Sequence, residues 1–99
     1  FCPVGPAIAT DLDPLRFRLR TRKNGQQLQD TAGDELVFSV VQLVSFISHV
    51  MTLLPGDVVS TGTPAGVSNM NPGDVVEIEL DGLGTLRNPV VAGLPRPAL

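Results

Sequence analysis

The sequence predicts an α+β fold, rich in β-structure, with one amphipathic helix over about residues 40–52. Three observations carry this. Arginines alternate with Phe17, Leu19 and Thr21 and run into Asn24-Gly25; a stretch capped by Ser39 then repeats apolar residues at helical spacing; and a Pro-Gly-Asp-Val-Val unit follows twice. A length of 99 residues, 42% hydrophobic and 17% charged with net charge −3, amounts to one domain or less.

The first element is a hairpin. Arg16, Arg18, Arg20, Arg22 and Lys23 are five of the seven basic residues, a cluster that invites a nucleic-acid reading. Their period of two is instead that of a strand with one wet face. Only Phe17 interleaves as an aromatic, and Asp11 and Asp13 stand just upstream as partners. The stretch is read as a solvated strand face, with no nucleic-acid partner. Asn24-Gly25 tolerates positive φ at both centres of a two-residue turn, closing a hairpin over about residues 16–29.

The helix comes next. Ser39 with Gln42 makes a capping box, and Val40, Leu43, Val44, Ile47, Val50 and Met51 fall on one face. Gln42, Ser45, His49 and Thr52 take the other, so His49, the single histidine, is a solvated side chain and neither a base nor a metal ligand. Leu54-Pro55-Gly56 stops the helix, because proline disfavours the helical conformation of the residue before it.

Pro55-Gly56-Asp57-Val58-Val59 is then echoed by Pro72-Gly73-Asp74-Val75-Val76. Each unit is read as a turn feeding a strand, two entries into one β-structure. In the second strand, Val76, Ile78 and Leu80 share one face and Glu77 and Glu79 the other. Two carboxylates at that spacing suit a shared cation or a wet strand face, and spacing does not separate the two. Asp81-Gly82-Leu83-Gly84 turns the chain into a last strand over residues 85–91, and residues 93–99 form a Pro-rich tail.

Cys2 is the single cysteine, which suits a reducing compartment. The longest apolar region, residues 40–54, is interrupted by polar residues and too short to span a bilayer. A soluble, cytoplasmic protein with no membrane partner is expected.

The segment with most bearing on function is Thr61-Gly62-Thr63-Pro64-Ala65-Gly66-Val67, which directly follows Val58-Val59 and holds two hydroxyls in a Gly- and Pro-rich loop. Such loops present hydroxyl and backbone N–H donors to anions, and they also occur as plain turns at strand exits. Together with Phe1-Cys2-Pro3-Val4-Gly5-Pro6, Lys23-Asn24-Gly25, Gln29-Asp30, Leu53-Leu54-Pro55-Gly56-Asp57 and Gly84-Thr85-Leu86-Arg87-Asn88-Pro89, its order and spacing resemble the fumarylacetoacetate hydrolase family over residues 1–92. Residues 29–38 depart from the usual pattern of relatives, with Gly33-Asp34 where they carry Thr and a small polar residue.

The resemblance implies a mixed, rolled β-sheet with the helix covering one face, and it implies that this chain is the C-terminal half of a catalytic domain. It implies chemistry on 2-oxo acid or acylpyruvate-type substrates: C–C hydrolysis, decarboxylation or isomerisation, as in 2-hydroxyhepta-2,4-diene-1,7-dioate isomerases. Gly62, Thr63 and Pro64 then form the substrate-binding loop, the Thr63 hydroxyl taking a substrate carboxylate. Glu77 occupies the register of a glutamate that orients a catalytic base. Mg²⁺ or Mn²⁺ is held by carboxylates upstream of Phe1, none by this chain alone, and the full-length protein is a homodimer. The alternative is a non-catalytic β-rich module without the metal site.

Overall fold

In the computed structural model, residues 2–93 are described; most of the Pro-rich tail expected at 93–99 lies outside them. The chain runs β1 (Arg18–Lys23), β2 (Gln26–Ala32), a 3-10 turn (Gly33–Glu35), α1 (Val40–Val50), β3 (Val75–Leu80) and β4 (Gly84–Pro89). The strands form one sheet in the order β2-β1-β3-β4, with every pairing antiparallel. This is a β-rich α+β fold.

The β1–β2 hairpin closes at Lys23↔Gln26, with Asn24 at φ 51° and Gly25 at φ 80°, both in the left-handed region that a tight hairpin turn demands. Asn24 also ties the tip to β3: its side chain donates to Asp74 Oδ1 at 2.8 Å and accepts from Val75 N at 2.9 Å. The register of β1 against β2 slips between Thr21 and Arg22, so Thr21 faces Gln29 while Arg22 faces Gln27. Leu28 is the extra residue of a bulge, which turns Leu28 and Gln29 toward the same side of the sheet.

The arginine face is solvated and internally paired. Arg18 forms a bidentate pair with Asp30 at 2.6 and 2.8 Å, Arg20 reaches Glu79 and Asp81 at 3.1 and 3.0 Å, and Arg22 reaches Glu79 at 2.6 Å. Of the two upstream aspartates expected as partners, Asp13 pairs only with Arg16, at 3.6 Å. The carboxylates that matter come from neighbouring strands, because cross-strand residues lie closer to one another than residues along the chain.

Ser39 Oγ accepts from Gln42 N at 3.2 Å and Gln42 Oε1 accepts from Ser39 N at 2.9 Å, the capping box read from the sequence. The helix ends at Val50, slightly before the expected limit, where Met51 turns extended. Two expectations need correction. The helix does not cover the sheet: no strand packs extensively on it, and Val44, Val50 and Met51 of its apolar face are exposed. Val58-Val59 is not a strand either.

Both echoed units form the same turn, since Leu54 N donates to Asp57 Oδ2 at 2.7 Å and Asn71 N to Asp74 Oδ2 at 2.9 Å. Gly56 and Gly73 stand at φ 94° and 96°. Only the second turn leads into the sheet, because Val75 meets Asn24 and Pro89, whereas Val58 has no partner strand among the described residues and is 78% exposed.

Candidate functional site

The sheet face opposite the arginines floors an open cleft of about 440 Å³. Leu19, Thr21, Gln29 and Ile78 line it from the sheet, and Leu36–Phe38, Leu43 and Thr61–Pro64 from outside the strands. Alternation along each strand decides who faces it: Thr21 and Ile78 are register partners, and their neighbours Arg22 and Glu77 point the opposite way.

The loop 61–66 is irregular and held at two places. Gln29 Nε2 donates to Thr63 Oγ1 at 2.8 Å and to Pro64 O at 3.0 Å. Gly66, at φ 103°, presses its backbone on the bulge, where a Cβ would lie 2.0 Å from Leu28 O. Only glycine fits that approach and that φ together. Thus the bulge that sequence periodicity does not reveal carries both attachments of the loop.

Gly62, Thr63 and Pro64 all line the cleft. Glu77 is not brought to them: it lies across the sheet, 3.2 Å from Arg87 and opposite Arg22 in register. Glu35 is the single carboxylate of the cleft wall, accepting from Thr31 Oγ1 at 2.8 Å and Ala32 N at 3.2 Å, and these bonds hold it below the usual carboxylate range. Gln29 and Glu35 were not assigned roles from the sequence. An amide that alternates with Asp30 on an edge strand was the available signal for Gln29.

Beside Glu35, the cleft carries the hydroxyls of Thr21, Thr31, Thr61 and Thr63 and the Gln29 amide among apolar side chains. Residues 1–91 match the family described as Fumarylacetoacetate (FAA) hydrolase C-terminal. The chain belongs to this family. It is 53% identical to 5-carboxymethyl-2-hydroxymuconate delta-isomerase from Mycobacterium smegmatis, with TM-score 0.88, covering 91% of this chain and 36% of that one. It is 37% identical to maleylpyruvate hydrolase from Sphingobium sp. SYK-6, solved with manganese (II) ion and pyruvate, with TM-score 0.90 over 95% of this chain and 37% of that one. A 4-hydroxyphenylacetate degradation bifunctional isomerase/decarboxylase from Salmonella dublin is 44% identical over 90% of this chain and 21% of its own length. The chain thus spans little more than a third of the family members it resembles in structure.

Mg²⁺ takes six oxygens in near-octahedral geometry, usually one or two carboxylates completed by waters and ligand oxygens. Among the described residues no three His, Cys, Asp or Glu side chains converge, and Glu35 stands alone in the cleft. These residues do not by themselves make an all-protein cage for Mg²⁺ or Mn²⁺. No helix among them is long and apolar enough to cross a membrane.

Proposed function

We propose that this chain supplies the substrate-carboxylate end of the active site in a larger enzyme that hydrolyses, decarboxylates or isomerises 2-oxo acids of the acylpyruvate type. One observation carries the reading: Thr63, between Gly62 and Pro64, stands on the wall of an apolar cleft with its hydroxyl oxygen bonded at 2.8 Å. Neutral donors hold a carboxylate without adding a cation to the site. In this reading Mg²⁺ or Mn²⁺ is held by carboxylates upstream of Phe1, the 99 residues alone are inactive, and the whole protein is a cytoplasmic homodimer. Glu77 remains with Arg87 on the far face and does not touch substrate.

The test is Thr63→Val in the intact protein, which keeps the β-branched shape and removes the hydroxyl. Loss of one hydrogen bond to a charged group costs about 1.5 to 3 kcal/mol, so kcat/KM for a 2-oxo acid should fall roughly 10- to 150-fold. Undiminished turnover would remove Thr63 from the substrate site. The second reading, a non-catalytic β-rich module, draws on the lack of a carboxylate cage among the described residues; an intact protein that turns over no 2-oxo acid supports it.

A further inference from the structure

We propose that Gln29 is a positioning residue that presets the Thr63 hydroxyl as a donor to a ligand carboxylate. The inference rests on the carboxylate reading above and goes one step behind it. Gln29 Nε2 lies 2.8 Å from Thr63 Oγ1 and 3.0 Å from Pro64 O. An amide nitrogen only donates, and so does nothing else toward a carbonyl oxygen. Were the amide turned over, its oxygen would face the Pro64 carbonyl, acceptor against acceptor. The Pro64 contact therefore dictates the orientation of the amide, and the amide dictates that Thr63 Oγ1 accepts.

A hydroxyl has one proton and two lone pairs. With a lone pair used by Gln29, the Thr63 proton has no call on it from that side and is free for an acceptor in the cleft. The Gln29 bond narrows the directions that this proton can take before a ligand arrives. The geometry has a structural cause: the β2 bulge brings Leu28 and Gln29 to one side, and Gly66 seats the loop directly on Leu28 O. Gln29 is half-buried at the base of this contact.

The experiment is calorimetric titration of pyruvate into the intact protein in Mn²⁺ buffer, for Gln29→Met, Thr63→Val and the double variant. Each single change should weaken pyruvate at least about 10-fold, and the double should bind no more weakly than Thr63→Val, because Gln29 acts through Thr63. Additive losses would overturn the proposal, since Gln29 would then act on its own or through general packing. Wild-type affinity in Gln29→Met beside a weakened Thr63→Val would overturn it too, while leaving the carboxylate reading intact. Wild-type affinity in Thr63→Val would sink that reading itself. Should Gln29→Met fail to fold, Gln29→Glu keeps the shape but takes the Thr63 proton for its own carboxylate; it should lose pyruvate as completely as its double with Thr63→Val, and retained affinity refutes the assignment.

Discussion

Gly66 shows how much a single residue decides here. Its φ of 103° and the 2.0 Å that would separate a Cβ from Leu28 O are two separate reasons to be glycine. Gly62 has a similar φ of 106° but open space where a Cβ would go. Backbone strain of this kind costs about 1–3 kcal/mol. Gly66→Ala should therefore destabilise the fold more than Gly62→Ala in denaturant titrations, and it should lift the loop from β2 and weaken pyruvate as Thr63→Val does. Equal costs for the two glycines would show that the contact with Leu28 is not what holds the loop. Glu77 teaches the complementary lesson, since its neighbour in sequence, Ile78, floors the cleft while Glu77 itself lies behind the sheet.

The elements differ in what sustains them. Carboxylates whose charged forms the fold favours tie β1 to β2 and the hairpin tip to the start of β3: Asp30 is held below its ordinary value by the hydrogen bond and charge of Arg18, and Asp74 by the Asn71 backbone and the Asn24 amide. A carboxyl group depressed in the folded state contributes stability that is fully present above its unfolded value and lost as pH falls through its folded one. The thermal midpoint should thus hold from neutrality to about pH 4 and then decline. Asp30→Asn should flatten that decline, because its group no longer titrates; an unchanged acid profile in this variant would mean that the Arg18 pair contributes nothing. Added salt should reduce the effect, since these pairs stand in water. The helix depends on other things: its capping box is local and legible, but Val44 and Val50 of its apolar face are left exposed.

Across the whole molecule the balance of surface is unusual. No apolar side chain among the described residues is fully buried, and Gly33 is the single buried residue. The chain exposes 8146 Å², where a compact monomer of its mass would expose about 5,400 Å². Its radius of gyration is 16.0 Å, against about 13 Å for a globule of this length. Val37, Phe38, Phe46 and Val50 are between 61% and 91% exposed, and large exposed apolar side chains favour association. The 99 residues alone should therefore bind a hydrophobic dye and self-associate in sedimentation at micromolar concentration. A monodisperse monomer without dye binding would contradict this. In the larger enzyme proposed above, the same dye should bind far less.

Local chemistry was readable from the sequence. Asn24-Gly25 closes a turn whatever surrounds it, Ser39 and Gln42 cap a helix through bonds three residues apart, and two Pro-Gly-Asp turns repeat because each aspartate accepts from its own backbone neighbourhood. The Thr61–Val67 loop was likewise recognisable by its glycines. The rest depends on residues far apart in the chain. The bulge at Leu28 exists in the pairing of two strands, the partners of Arg18, Arg20 and Arg22 come from across the sheet, and Val75 becomes a strand where Val58 does not because one has an edge to pair with. Gln29 meets Thr63 across 34 positions, a contact that alternation on β2 permits but that the fold alone brings about.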